Sequence, residues 1–256
     1  MIIMFYPVKI NSERCIGCGR CAEECILGTI RLADGKAEVC REHCMQCGHC
    51  FSVCPVGAVS MDGYDRPEEK TEVNCISAEN MLAFMKSRRS IRHFTAEKVS
   101  DREVDMIIEA GRYCPTAKNM QDLHFTVLDK TLSDIEKEAV SDIRAFFAAS
   151  GNEFDRLVTV DDHFFFFGAP LVIVVSAERA DNAGLAAAYM ELMAESLGLG
   201  VLYCGYFTRT ALRNEKIFKA LELPEDRQPF FTLVIGHPDV EFKRIPPRKQ
   251  PSVTKK

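Results

Sequence analysis

Eight cysteines near the start of the chain fall into two runs of one spacing. These are Cys15-x2-Cys18-x2-Cys21-x3-Cys25 and Cys44-x2-Cys47-x2-Cys50-x3-Cys54, the second displaced from the first by 29 residues. Gly28 and Gly57, three positions past the fourth cysteine of each run, repeat at the same offset. Such a repeat implies two copies of one unit related by pseudo-symmetry. The spacing also selects the chemistry. Three thiolates at three-residue intervals wrap a tight loop around one face of an iron–sulfur cubane, and the fourth is carried by the following turn to the other cluster. Two 4Fe-4S clusters are therefore expected, one on Cys15, Cys18, Cys21 and Cys54, the other on Cys44, Cys47, Cys50 and Cys25. Gly17, Gly19 and Gly48 admit the backbone N–H groups that approach the sulfurs, because no Cβ blocks the required dihedrals.

Structural zinc also uses C-x2-C pairs, but a zinc site needs neither the third cysteine step nor the crossed fourth ligand. A disulfide scaffold would spread its cysteines over the whole packed unit. Here nine of the 12 lie in the first 54 residues, and Cys75, Cys114 and Cys204 are scattered behind them. Cys40 stands outside the repeat and is expected to be a spare buried thiol. Residues 8–62 resemble the bacterial two-cluster ferredoxins, with one departure: Ile26 follows Cys25, where Pro55 follows Cys54.

A net charge of −5 argues against a nucleic-acid partner, which would usually want a basic face. The opening MIIMFYPVKI has no basic n-region and no small-residue cleavage site. The longest apolar stretch, Phe164 to Val175, is broken by Gly168 and Pro170 and falls short of a membrane span. No membrane partner and a reducing, cytoplasmic location are expected.

The polar stretch GYDRPEEKTEVN reads as a linker, beyond which long helical patterns alternate with a few strands. Asp101–Tyr113 places Val104, Ile107, Ile108 and Gly111 on one helical face, with Ser100 or Asp101 as N-cap. His124–Leu128, Leu171–Ser176 and Phe230–Ile235 read as strands, and Thr29–Leu32 and Ala58–Ser60 as short β-prone pieces. Ala183–Leu197 and Thr210–Leu221 read as helices. This mixture points to an α+β sheet covered by helices. His163 and the Phe164–Phe167 run read as packing, and His93, His124 and His237 as structural.

Four segments of this second region carry chemistry. Arg88-Arg89-Ser90-Ile91-Arg92, at the end of a short helix, makes an anion site, because guanidinium forks match phosphate oxygens. Cys114-Pro115-Thr116-Ala117-Lys118-Asn119-Met120-Gln121 offers small residues and amides that can address a planar heterocycle. Leu197–Phe207 joins a buried helix to a glycine-centred turn. Gly236-His237-Pro238 closes a strand ahead of Lys243-Arg244. There is no G-x-G-x-x-G after a strand, so a dedicated nicotinamide domain of the doubly wound kind is absent.

In this order the four segments resemble the nitroreductase family of FMN proteins over roughly residues 79–248. The resemblance implies that Arg88, Arg89, Ser90 and Arg92 grip the ribityl phosphate and part of the ring. It implies further that Pro115, Thr116, Ala117, Asn119 and Gln121 serve a flavin across a homodimer interface. Gly205 corresponds to the turn beside flavin N5, with Cys204 where many members carry an acid. Cys204 is either a reactive thiol or a small buried residue. The late basic pair resembles Lys243 and Arg244, and Arg248 stays open as a phosphate ligand. The expected architecture is a small pseudo-symmetric two-cluster ferredoxin-like domain over 1–63, a linker over 64–78 and a nitroreductase-like FMN-dependent α+β domain over 79–250.

That arrangement implies an oxidoreductase fed through its own clusters and reducing a small organic acceptor of nitroaromatic, quinone or enone type, with hydride leaving from N5 and no catalytic side chain. The donor would be a ferredoxin or NAD(P)H. Two alternatives stand beside it: a non-catalytic electron-transfer module of a larger redox complex, and a nitroreductase taking NAD(P)H directly at FMN.

Overall fold

The computed structural model describes residues 8–41, 43–64, 76–150, 152 and 157–256. Most of the expected linker, Cys75 and the first seven residues lie outside the described residues. The chain divides into two compact units, residues 1–74 with 117–120, and residues 75–116 with 121–256.

In the first unit the 29-residue repeat becomes a structural one. Strand β1 (Val8–Ile10), helix α1 (Arg20–Glu23) and strand β2 (Ile30–Ala33) recur as β3 (Lys36–Val39), α2 (His49–Ser52) and β4 (Val59–Met61). The halves exchange strands: β1 pairs antiparallel with β4, and β2 with β3, so each small sheet takes one strand from each copy. Helices of four residues have no stability of their own. They are held by the core, where Val8, Ile30, Ala37 and Val59 are buried beside Cys21 and Cys50. Arginines clip the two loops at equivalent places. Arg14 Nη2 donates to the Val56 carbonyl at 2.7 Å, and Arg41 Nη1 to the Leu27 carbonyl at 3.0 Å.

The second unit is built on a four-stranded antiparallel sheet of β5 (His124–Leu128), β6 (Leu171–Ala177), β7 (Gly200–Tyr203) and β8 (Gln228–Gly236), in the order β5-β6-β8-β7. All seven residues of β6 are buried. Its alternate side chains enter two cores: Val172 and Val174 pack with α5 (Leu132–Ser150) and α7 (Gly205–Arg213), while Leu171, Ile173 and Val175 pack with α4 (Asp101–Arg112) and α6 (Ala180–Ser196). Burying each such side chain contributes roughly 1.5–3 kcal/mol. Phe165 and Phe166 are fully buried in the first of these cores. Ser100 caps α4 with a full capping box, accepting from Glu103 N while the Glu103 carboxylate accepts from Ser100 N.

The structure departs from the sequence reading in four places. The helix expected over Thr210–Leu221 is two, α7 and α8 (Glu215–Ala220). Asn214 between them is extended, and its Oδ1 accepts from Lys216 N and Ile217 N to cap the second. Part of the segment read as a glycine turn is strand β7. Helix α5 was not read at all. The first turn of α6 starts at Ala180, three residues before the expected Ala183. Among the described residues no helix is long and apolar enough to cross a membrane.

Candidate functional site

In the first unit the cysteines line two cavities. One is lined by Cys15, Cys18, Cys21 and Cys54 with Ile10, Val56 and Val59. The other is lined by Cys25, Cys44, Cys47 and Cys50 with Ile26, Leu27 and Met45. Each set combines three cysteines of one run with the fourth of the other. Among the described residues no three His, Cys, Asp or Glu side chains gather closely enough for a single metal ion.

Backbone N–H groups aim at the sulfurs in matched pairs. Gly17 N reaches Cys15 Sγ at 3.5 Å and Gln46 N reaches Cys44 Sγ at 3.3 Å. Thr29 N and Ala58 N reach Cys25 and Cys54 Sγ, each at 3.2 Å. Both turns need a left-handed residue, Gly17 at φ 69° and Gln46 at φ 55°. A Cβ at Gly17 would collide with the Gly35 carbonyl, so glycine is required in that copy alone. These donors govern the thiols. Donation from Ala37 N–H and then Gly17 N–H lowers Cys15. Burial pushes Cys25 and Cys54 up, but the N–H groups gathered on each sulfur outweigh it and lower both. Cys21 is raised by burial, and Cys50 is pushed up to about 11 by the same cause. Cys40 corrects the expectation of a buried thiol: it is exposed, with Sγ 3.4 Å from the Gly28 carbonyl.

In the second unit the segment after α3 (Ala78–Ser87) runs along the free edge of the sheet. Ser90 forms a parallel bridge with Val201 of β7, and Ile91 N donates to the Val201 carbonyl at 3.1 Å. Further on, Phe94 bridges Pro238, Thr95 N donates to the His237 carbonyl, and Asp239 N to the His93 carbonyl. The arginine segment thus joins the Gly236-His237-Pro238 segment by backbone bonds. Arg88 Nη1 meets Glu191 Oε1 of α6 at 2.6 Å, and Arg89 lies over the Phe242 ring at 5.7 Å from its centroid. Arg92 and Arg244 are exposed, and Lys243 pairs with Glu241.

Cys204 caps the N-terminal end of α7 and is buried. Loss of solvent pushes its thiol up to about 11, so it is a core residue and not an activated nucleophile. The next residue, Gly205, is exposed, and a Cβ there would meet no atom within 4 Å.

The loop from Pro115 to Gln121 is a tight irregular turn, with Lys118, Asn119 and Gln121 at φ 52°, 52° and 48°. The Thr116 hydroxyl accepts from Gln121 N at 3.1 Å. Residues 117–120 belong to the first unit, where Asn119 Nδ2 donates to the Gln46 carbonyl at 2.8 Å. Sequence reasoning missed two carboxylates. Asp122 is fully buried and accepts from Glu178 N at 3.0 Å and Asn182 Nδ2 at 2.6 Å. Glu191 is the one acid within the apolar run from Leu185 to Ala194, the signal that could have marked it.

Residues 85–237 match the nitroreductase family model, and residues 7–55 match the 4Fe-4S dicluster domain. The chain belongs to the nitroreductase family, on an α+β fold with an N-terminal ferredoxin-like domain. Among its relatives is an FMN reductase (NADPH) of Bacillus subtilis, 28% identical over 180 residues that cover 62% of this chain and 66% of the relative. An FMN reductase [NAD(P)H] of the same organism is 30% identical, with 68% of this chain and 72% of the relative covered. The chain thus spans just under two thirds of the first and somewhat more of the second. A crystal structure of a nitroreductase with bound FMN from Desulfitobacterium hafniense is 26% identical with a TM-score of 0.58, covering 68% of this chain and 97% of that one.

Proposed function

We propose that this chain is an FMN-dependent oxidoreductase that receives electrons through two 4Fe-4S clusters and reduces a small organic acceptor of nitroaromatic, quinone or enone type. One observation carries the reading: a chain of the nitroreductase family also holds two cavities, each lined by four cysteines in the crossed pattern that a pair of cubanes requires. The thiols fit such clusters. They supply four soft donors per cavity, backbone N–H groups point at the sulfurs, and no subset is drawn tight around a single ion.

For the flavin, the cations Arg88, Arg89, Arg92, Lys243 and Arg244, with the Ser90 hydroxyl, are the set that would hold the phosphate. Open space at Gly205 fits the approach of a planar ring. In this reading Pro115, Thr116, Ala117, Asn119 and Gln121 would contact the flavin of a second copy, and Cys204 supports the turn from inside the core. When bound, the flavin would exchange single electrons with a cluster and paired electrons with the acceptor. The chain's own residues bind and orient; none is asked to act as a nucleophile, and protons come from solvent.

A homodimer is part of this reading. Helix α3 buries none of its residues and leaves Met81, Leu82 and Met85 exposed, and α6 exposes Leu185 and Tyr189. Exposed apolar faces of this extent mark association surfaces. A reducing, cytoplasmic setting accords with the free cysteines among the described residues.

The names of the relatives favour a second reading, in which NAD(P)H delivers hydride directly at the flavin and the clusters lead electrons away. Anaerobic purification followed by iron, labile sulfide and flavin analysis tests the shared part. About eight irons and one FMN per chain are expected, and zinc without labile sulfide would refute it. Rapid bleaching of the flavin by NAD(P)H alone would favour the second reading over the first.

A further inference from the structure

The guanidinium assigned to the phosphate already has a counterion. Arg88 and Glu191 meet at 2.6 Å across 103 residues of sequence, with side chains 25% and 10% exposed. A pair so placed is screened far less than a surface pair and sets where the guanidinium points. Beside the pair on β7, burial first, then the Glu191 charge, raises the Tyr203 phenol above its ordinary range. One helical turn beyond Glu191 on α6 stands Glu195. Its Oε1 is buried and has no hydrogen-bond partner. Burial first, then the neighbouring Glu191 charge, pushes this carboxyl up to about 7, with Arg88 pulling the other way. The charged groups facing Glu195 are thus Glu191 from its own helix and Arg88 from the end of α3.

The cluster therefore holds two carboxylates and one guanidinium around an oxygen that lacks a donor. A phosphate dianion arriving at Arg88 would add negative charge to it and draw the guanidinium's field away from the acids. Resting on the flavin reading above, we infer that Glu191 is a positioning residue for Arg88, and that the Glu191–Glu195 pair takes up one proton from solvent when a flavin phosphate binds. The bond formed is O–H on a carboxylate, and no electrons move.

Calorimetric titration of flavin-stripped full-length protein with FMN at pH 7.5, in two non-phosphate buffers of different ionisation enthalpy, counts the protons. Wild type is expected to take up a substantial fraction of a proton more than Glu195→Gln. Its FMN affinity should weaken by up to roughly tenfold per pH unit above neutrality, which is the linkage slope for one proton. The slope in Glu195→Gln should be nearly flat, and Glu191→Asp should retain more affinity than Glu191→Gln. Equal uptake and equal slopes in wild type and Glu195→Gln, with tight binding in both, would overturn the coupling and leave the flavin reading intact. Failure of wild type to bind FMN would overturn that reading and this inference together. Glu195 makes no hydrogen bond through its buried oxygen, so its variant tests the idea even where Glu191→Gln fails to fold.

Discussion

Thr29 and Ala58 stand 29 residues apart and donate the same bond. Each backbone N–H reaches the sulfur of the cysteine four positions before it at 3.2 Å. Those cysteines, Cys25 and Cys54, are the two that line the cavity of the opposite run. The crossing makes the halves interdependent. Cys54→Ser should cost the cluster held by the first run, and Cys25→Ser the cluster held by the second. In each variant, iron per chain should fall from about eight towards four, with a matching loss in the low-temperature EPR spectrum of the reduced protein. Loss of the cluster held by the same run as the mutated cysteine would contradict the crossed assignment.

Two glycines, Gly200 at the start of β7 and Gly205 just past its end, separate packing from binding. At Gly200 a Cβ would enter the Ile91 side chain, reaching its Cβ at 2.9 Å, where the arginine segment joins the sheet edge. Gly200→Ala should destabilise the second unit by about 1–3 kcal/mol, as overpacking does, and weaken FMN binding with it. Gly205→Ala has open space around it. It should leave the denaturation midpoint nearly unchanged yet lower flavin occupancy, read by the flavin absorbance of purified protein.

Glu195 gives stability a pH dependence of known sign. Its carboxyl titrates near 7 in the folded chain against an ordinary value of 4.5. Its favourable contribution is therefore complete below pH 4.5, declines as pH rises through 7, and is gone above. Glu195→Gln removes that decline. At pH 8 the variant should be more stable than wild type by on the order of 1–2 kcal/mol, discounting the full shift for partial solvation. At pH 4 the two should nearly coincide in urea denaturation of the flavin-free protein.

Thiol reactivity should follow exposure. At pH 8 a thiol held near 11 is about one part in a thousand thiolate. Alkylation of the native, cluster-loaded protein should modify exposed Cys40 and spare buried Cys204 and Cys114, as read by peptide mapping.

Much of this was legible before the fold was known, and the reason is range. The cysteines of a run are neighbours in sequence, so their spacing carries the loop geometry directly. The Ser100–Glu103 capping box and the β-branched strand Leu171–Ala177 are local signals of the same kind. Features made by distant residues were not readable. Glu191 acquires its role only when α6 is laid against the end of α3, and strand β7 exists because four residues find a partner in β8. Asn214 was hidden for the opposite reason: apolar periodicity runs through it, and only its extended backbone, with the side chain capping α8, breaks the helix. Cys40 runs against the usual burial of thiols, because the chain leaving β3 carries it into solvent.

The proposal that the clusters feed the flavin is tested most directly by anaerobic stopped-flow reduction with a low-potential one-electron donor, following flavin absorbance in wild type and in the Cys25→Ser, Cys54→Ser double variant. The account predicts fast bleaching in wild type and only slow bleaching in the variant, with equal flavin content in both. Flavin reduction at the same rate with and without intact clusters would contradict it.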